Sequence, residues 1–171
     1  GDPSGRGAVI ETDNPDLGNW QTNYAVINVP NGVQDPNIFV DDDNSVYLYE
    51  ESSNKWPIHG VELDTANYYI PKGEQKDLFN LQPEQHGWER FGQDHKSDIK
   101  PFIEGPWMVK HNDTYYLEYG APGTQWNVYA DGVYTSKNPL GPFTYAPYNP
   151  ISYKPGGFLK GSGHGSTVQD N

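Results

Sequence analysis

Two stretches of the sequence, QDPNIFVDDDNSVYLYE (34–50) and IEGPWMVKHNDTYYLEY (103–119), follow one pattern. Each places a carboxylate shortly before a proline, then an apolar strand, a turn rich in Asp or Asn, and a Tyr-rich strand. Asp35 and Glu104 lead the two segments, 69 residues apart, and an alignment without gaps at that offset pairs Leu48 with Leu117. The pattern predicts two hairpins at equivalent positions of a repeated unit.

A second pair of segments repeats as well. AVIETDNPDLGNW (8–20) and GVYTSKNPLGPF (132–143) each contain a strand, then Asn-Pro, Leu-Gly and an aromatic residue. Asn14 and Asn138 are 124 residues apart, which is two units of 62. A period of about 60 to 70 residues with four strands per unit is typical of propeller blades. A β-sandwich remains the alternative, although a sandwich does not require two hairpins to match at a fixed offset.

Composition favours an all-β fold in a single domain. The chain has 171 residues, of which 19 are Gly, 15 are Pro and 14% are aromatic, as expected for short strands joined by turns. The segment closest to a helix, GEQKDLFNLQPEQHGWERFG, is interrupted by Pro83 and Gly87. The predicted strands are Gly7–Thr12, Asn37–Val40, Ser45–Glu50, Gly60–Leu63, Trp107–Lys110, Thr114–Tyr119 and Gly132–Ser136.

Charge and residue usage restrict the partners. The net charge of −12 argues against nucleic acid or an anionic membrane and favours a neutral partner. The chain contains no Cys, which excludes disulfides, zinc–thiolate sites and cysteine nucleophiles. The sequence contains no run of 18 apolar residues, so no transmembrane helix is expected.

The last residues, STVQDN (166–171), have the pattern of a further inner strand and its turn, with no partner strand after it. An unpaired strand edge is an aggregation hazard. We therefore expect residues 1–171 to be part of a single propeller domain whose first and last blades are missing.

Three motifs resemble the family 43 glycoside hydrolases, which are five-bladed propeller enzymes acting on arabinose- and xylose-containing glycans. The motifs are DPNIFVDDDNSVYLYE, EGPWMVKHNDTYYLEYGAPG and GSGHGST, and the resemblance runs from about residue 8 to the end of the chain. It implies that this chain holds roughly two to three of the five blades, and that the whole protein degrades plant-type polysaccharides or oligosaccharides by an inverting mechanism. It also implies export, to the periplasm or outside a bacterial cell.

The resemblance assigns roles to three residues. Asp35 matches the Asp that tunes the pKa of the catalytic acid, and Glu104 matches the general acid itself. His164 matches a histidine near the central channel, often beside a bound calcium ion. The catalytic base has no match; GDPS (1–4) is the nearest candidate, but Asp2 is followed by GRG rather than by an apolar strand. The base is therefore expected upstream of residue 1 and the substrate-binding Arg downstream of Asn171, so that the chain alone is expected to be inactive.

The propeller geometry gives these assignments a physical reason. Inner strands of successive blades meet at the central axis, so carboxylates at their first positions converge. An ionised Asp35 close to Glu104 is expected to keep that acid protonated and able to donate. Each residue also has a simpler alternative role, Asp35 as a turn cap, Glu104 as a surface residue and His164 as a hydrogen-bonding loop residue.

Aromatic residues extend the predicted site. Trp107 follows the acid by three residues and is expected in the channel or between blades, and Trp126 and Trp88 are candidates for stacking on a sugar face. Core packing is the alternative for each of them. Two alternatives to an enzyme remain open, namely a glycan-binding propeller without catalysis and a purely structural interaction propeller, the latter predicting no convergence of carboxylates.

Overall fold

The computed structural model describes residues 7–27, 29–30 and 32–168, and within those ranges it contains strands and short 3₁₀ turns but no α-helix. No helix in this described part is long and apolar enough to cross a membrane.

The strands form three antiparallel sheets. The first sheet contains β1 (Gly7–Glu11) and β2 (Gln21–Ile27). The second contains β3 (Asn37–Val40), β4 (Val46–Glu50), β6 (Ile58–Asp64), β7 (Ile70–Pro71) and β8 (Lys76–Phe79). The third contains β5 (Ser52–Ser53), β9 (Ile103–His111), β10 (Thr114–Ala121), β11 (Ala130–Ser136), β12 (Thr144–Tyr145) and β13 (Ser152–Tyr153).

The all-β prediction is confirmed, and each of the seven predicted strands is present. The largest difference in bounds is in β9, which begins at Ile103 rather than at Trp107. The start of β9 pairs with the two-residue β5 rather than with its hairpin partner alone, a contact between distant parts of the chain that local sequence does not signal. Residues 166–168, predicted to begin an inner strand, are not in a strand, and residues 169–171 lie outside the described ranges.

The Asn-Pro segments are turns that precede outer strands. Asn14 caps the 3₁₀ turn Pro15–Leu17 by accepting a hydrogen bond from the Asp16 backbone N–H at 3.0 Å, and β2 follows this turn. The equivalent turn from Asn138 to Gly141 is followed by β12. In both cases the strand before the turn pairs antiparallel with the strand after it, as β1 with β2 and β11 with β12. The second repeat therefore corresponds to the same strand–turn–strand arrangement in two sheets.

The two hairpins of the first repeat differ by one residue in their turns. In the β3–β4 turn, Asn44 takes a left-handed conformation with φ 66°, and the Asp41 N–H donates to the Ser45 carbonyl at 2.9 Å. The β9–β10 turn has only two central residues, Asn112 and Asp113, both left-handed with φ 47° and 56°, as a tight hairpin turn requires. Residues that the alignment without gaps equates therefore do not have equivalent strand partners near the turns of the two hairpins.

A bulge in β9, between Glu104 and Trp107, cancels this shift at the Glu104 end of the strand. Ile38 pairs with Leu48, whereas Trp107, 69 residues after Ile38, pairs with Glu118 and not with Leu117. The register then changes between Glu118 and Gly120, so that Glu104 pairs with Gly120. One extra residue in β9 compensates for the shorter turn, and Glu104 returns to the position equivalent to Asp35.

The three sheets stack face to face, with the second sheet in the middle. Every residue of β4 is buried, as expected for a strand covered on both faces. Successive side chains of β4 point to opposite faces, so Val46 and Leu48 pack toward the first sheet while Tyr47 and Tyr49 pack toward the third. The first core contains Ile27, Val29, Val46, Leu48, Val61 and Leu63. The second contains Tyr47, Tyr49, Ile58, Phe79, Ile103, Met108, Tyr115, Leu117, Tyr119, Ala121 and Tyr134.

Polar side chains connect the inner strands β3 and β9. The side-chain oxygen of Asn37 accepts a buried hydrogen bond from the Met108 backbone N–H at 2.9 Å. At the other end of β3, Asp41 forms an ion pair with Lys110 at 2.6 Å and accepts a hydrogen bond from the Tyr115 hydroxyl at 2.5 Å. These bonds hold the inner strands of the second and third sheets side by side, with their first residues at the same edge.

The segment HGWERFG (86–92) forms a 3₁₀ turn that belongs to the core. The Trp88 ring packs 5.7 Å from the Tyr119 ring, and its Nε1 donates to the Tyr145 hydroxyl at 2.8 Å. Glu89 is completely buried and accepts hydrogen bonds from the Tyr119 hydroxyl at 2.5 Å and from the Gln82 backbone N–H at 2.6 Å. Burial outweighs these hydrogen bonds and raises the pKa of Glu89 to about 7.

Truncation of Leu117 tests the stacking of the second and third sheets. Because Leu117 is fully buried in the core between them, we expect Leu117→Ala to lower the free energy of unfolding by about 2–5 kcal/mol. Val40→Ala, on a strand residue that is 58% exposed, should change it by less than about 1 kcal/mol. Denaturant unfolding of both variants measures the difference, and equal effects would contradict the stacking.

Glu89 makes stability depend on pH. Its carboxyl has a pKa of about 7 in the folded protein against an ordinary value of 4.5, so its stabilisation is complete below pH 4.5 and is lost as the pH rises through about 7. In Glu89→Gln we expect a flatter dependence of unfolding free energy over this range, by roughly 3 kcal/mol in total. Unfolding at several pH values measures the slope; Glu84→Gln, an exposed change, should leave it unaltered.

Candidate active site

Asp35 lies immediately before β3, at the edge where the inner strands begin. Its backbone takes a left-handed conformation with φ 46°, which is uncommon for residues other than glycine although Asp tolerates it. The side chain is about one-third exposed, at 31%. β3 begins two residues later, at Asn37, and the Asp35 carboxylate lies close to that of Glu104 at the start of β9.

Glu104 is the second residue of β9 and is 9% exposed. Its Oε2 accepts a hydrogen bond from the Ser52 hydroxyl at 3.3 Å, because β5 pairs Ser52 directly with Glu104. The buried Tyr129 is close enough to interact with Glu104, and burial first and then the charge of Glu104 raise the pKa of the Tyr129 hydroxyl. A Cβ at Gly120 would lie 2.5 Å from that hydroxyl, so only glycine leaves room for it.

His164 approaches the two carboxylates from the loop near the end of the described chain. Its Nδ1 lies 4.0 Å from Oδ2 of Asp35, and its side chain is 47% exposed. A Cβ at Gly105 would lie 2.8 Å from Nδ1 of His164, and Gly105 itself has φ 59°. The glycine of the Glu-Gly-Pro motif therefore serves both the backbone conformation and the close approach of the imidazole.

Asp131, which the sequence analysis missed, holds the histidine loop. It is 5% exposed, and its Oδ2 accepts a hydrogen bond from the Gly165 backbone N–H at 3.0 Å. Burial raises the pKa of Asp131 to about 6, although the backbone N–H groups of Gly165 and His164 oppose the shift. The sequence ADG (130–132) carries no signal for this role, because the contact joins residues far apart in the chain.

Asp35, Glu104 and His164 converge. One side-chain ligand atom from each lies within 4.8 Å of those of the other two. A pocket of about 280 Å³ opens beside them and is lined by Asp35, Pro36, Gly105, Pro106, Trp107, His164, Gly165 and Ser166, whereas the largely buried Glu104 is not in its lining. A cavity of about 340 Å³ elsewhere, lined by Thr114, Lys137 and Thr144 among others, has no carboxylate in its lining. The chemistry therefore places the candidate site at the smaller pocket.

Only one of the three predicted tryptophans lines the pocket. Trp107 does so, with its Nε1 donating to the Thr167 carbonyl at 2.8 Å. Trp88 is instead held in the core by its contacts with Tyr119 and Tyr145. Trp126 packs edge-on against Phe91 at 5.7 Å, in the loop before β11. The pocket therefore does not support the prediction that Trp88 and Trp126 stack on a sugar.

The donor set of the pocket fits calcium poorly. Calcium takes about six to eight oxygen ligands, whereas these three side chains offer two carboxylates and an imidazole nitrogen. These three side chains alone therefore supply fewer oxygen ligands than calcium usually takes. The candidate base Asp2 lies outside the described residues.

The whole chain matches one family, and several known proteins resemble it. Residues 2–171 match the sequence model of Glycosyl hydrolases family 43. A beta-D-galactofuranosidase of Aspergillus niger is 31% identical over 114 residues, covering 66% of this chain and 27% of that protein. A beta-xylosidase of Xylanibacter ruminicola is 29% identical over 130 residues, covering 65% of this chain and 39% of that protein.

The fold agrees with this match. The crystal structure of a thermostable family-43 glycoside hydrolase superposes with a TM-score of 0.72 at 25% identity, covering 93% of this chain and 51% of that one. The chain thus spans about half of that structure and well under half of the two sequence relatives. The stacked sheets are blades of the β-propeller fold, and the chain belongs to family 43 of the glycosyl hydrolases.

Proposed function

We propose that the full-length protein is an inverting glycoside hydrolase that cleaves arabinose- or xylose-type linkages in plant-type glycans. The observation that carries this proposal is the convergence of Asp35, Glu104 and His164 within 4.8 Å of one another, beside a pocket that Asp35 and His164 line. The family match supports the reaction class. The relatives named beta-xylosidase and beta-D-galactofuranosidase support a glycoside as substrate, and galactofuranose linkages therefore belong in any substrate test.

In this proposal Glu104 is the general acid, which protonates the glycosidic oxygen as the bond breaks. Its position suits that role, because the carboxyl is largely buried and one of its oxygens is held by Ser52. A fixed carboxyl presents its other oxygen in a defined direction, which favours proton transfer to a bound substrate.

Asp35 modulates the acid in this proposal. It is partly exposed and lies beside Glu104, so its negative charge acts on that carboxyl across a short distance. His164 borders Asp35 at 4.0 Å and closes the same side of the pocket. Trp107, at the pocket wall, offers an apolar face to a sugar ring.

The base that activates water is proposed to lie outside the described residues. An inverting mechanism places it about 6.5–9.5 Å from the acid, which leaves room for the attacking water. Calcium in the central channel and export from the cell remain predictions, and no step of the proposed reaction runs through a metal.

A glycan-binding propeller without catalysis is the alternative function, since it too would keep the pocket and its aromatic wall. A purely structural propeller is disfavoured, because it gives no reason for two carboxylates and an imidazole to lie within 4.8 Å of one another. Turnover therefore separates the two remaining candidates.

Replacement of Glu104 tests the proposal in the full-length protein. We expect Glu104→Gln to lower kcat by about 10²–10⁴-fold on glycosides with poor leaving groups, because an amide cannot donate the proton. Dinitrophenyl glycosides should lose much less, since their leaving groups need little protonation. Rates on aryl α-arabinofuranosides, β-xylosides and β-galactofuranosides measure both effects.

Glu84→Gln, which alters an exposed carboxylate 3.6 Å from Arg90, is the matched control and should retain full turnover. If the wild-type protein binds glycans but hydrolyses none of the panel, the binding function replaces the catalytic one. Full turnover by Glu104→Gln would remove Glu104 from the mechanism.

A further inference from the structure

A second cluster of ionisable side chains lies away from the pocket, inside the second sheet. Glu50 ends β4, Glu51 follows it, and His59 is the residue of β6 that pairs with Glu50. The three residues are 1%, 1% and 3% exposed. Two buried carboxylates beside one imidazole need a proton or a bound cation to balance their charge, because isolated buried charges are costly.

Two atoms of this cluster lack hydrogen bonds. Oε2 of Glu51 and Nδ1 of His59 are both buried, and neither has a hydrogen-bond partner among the described residues. They lie 3.3 Å apart, but not in an orientation that makes a hydrogen bond. Nδ1 also lies 3.5 Å from Oε1 of Glu50. Buried polar atoms without partners are rare in native proteins and call for an explanation such as an ion.

The distances match the edges of a metal coordination shell. Bonds of about 2.0–2.2 Å from zinc to nitrogen and oxygen place tetrahedral ligand atoms roughly 3.3–3.6 Å apart. The separations of 3.3 Å and 3.5 Å from Nδ1 to the two carboxylates fall in this range. Three donors leave a fourth position for water.

The outer contacts also suit a metal site. Nε2 of His59 lies 3.2 Å from Oδ1 of Asp77, the arrangement in which a carboxylate orients a metal-binding histidine. The oxygen of Glu50 that faces away from Nδ1 accepts the Gln34 backbone N–H at 3.5 Å. The oxygen of Glu51 that faces away accepts the Ser52 backbone N–H at 3.0 Å. Oε2 of Glu51 is thus left toward the centre without a hydrogen bond, whereas Oε1 of Glu50 also accepts one from the Gln75 side-chain amide, which a bound metal would displace.

We propose that Glu50, Glu51 and His59 bind one divalent transition-metal ion of the zinc class, with Asp77 orienting the histidine. The imidazole favours zinc over magnesium or calcium, which prefer all-oxygen shells. A charge of +2 balances the two buried carboxylates. Asp77 is 78% exposed, so the ion lies one imidazole ring below the surface.

The ion has a structural role with a link to the pocket. Ser52 donates its backbone N–H to Glu51 and its hydroxyl to Glu104, at 3.0 Å and 3.3 Å. Anchoring Glu51 therefore anchors the residue that orients Glu104. This consequence rests on the proposed function, whereas metal binding itself does not.

The test uses the full-length protein, stripped with a chelator and titrated with Zn²⁺ alone. We expect about one tightly bound equivalent, measured by elemental analysis after desalting, and a rise in thermal midpoint on binding. Glu51→Gln and His59→Gln should lose this equivalent. Asp77→Asn, a change at an exposed carboxylate, should weaken Zn²⁺ binding by about 10–100-fold while the protein stays folded.

Matched controls separate the site from other histidines and acids. His111→Gln, an exposed change at the β9–β10 turn, and Glu84→Gln should keep the equivalent. His164→Gln should keep it too, which distinguishes this cluster from the pocket. The proposal is overturned if the wild-type protein binds no Zn²⁺, if Asp77→Asn binds it as tightly as wild type, or if His164→Gln alone abolishes binding; absence of glycosidase activity would leave it intact.

Discussion

The hydrogen bond from the Met108 backbone N–H to the Asn37 side chain is the contact on which the site depends. It joins β3 to β9 in the buried region where two sheets meet, and a backbone donor left unpaired there would be costly. The Asp41–Lys110 ion pair supports the same alignment at the other end of β3. With the two inner strands held in this relation, their first residues lie at one edge, and Asp35 and Glu104 converge.

The site concentrates backbone conformations that most residues avoid. Asp35 and His164 both have positive φ values, and Gly105 adds a third. Such conformations persist where the surrounding structure holds them, and they cluster at functional sites. Here the holding contacts are identifiable, because Asp131 secures the loop after His164 and the bulge in β9 places Gly105 beneath the imidazole.

Buried acids are a recurring feature of this chain. Burial raises the pKa of Glu50, Glu89 and Asp131 to about 7, 7 and 6 respectively. Each accepts hydrogen bonds that fix its position, from Gln34 and Gln75, from Tyr119 and Gln82, and from Gly165. Part of the acidic composition is therefore structural, and these buried acids, partly protonated near pH 7, contribute less than their formal share to the net charge of −12.

The sequence by itself determined the all-β class, the repeated hairpins and the two leading carboxylates, because alternation, turn residues and repeats are local properties that a strand requires. The sequence also placed Gly105 directly after Glu104, where the backbone conformation requires glycine. Only the tertiary structure decided which tryptophan reaches the pocket, since indoles in similar local settings pack either in the core, as Trp88 does, or at the pocket wall, as Trp107 does. The same holds for Ser52 and Asp131, whose contacts with Glu104 and Gly165 join distant parts of the chain. The Glu50–Glu51–His59 cluster depends on the register in which β4 pairs with β6. Strand register shows this difference most clearly. The β9–β10 turn is one residue shorter than the β3–β4 turn, and the bulge in β9 adds one residue back. Glu104 is therefore equivalent to Asp35, which strand pairing shows and residue order does not.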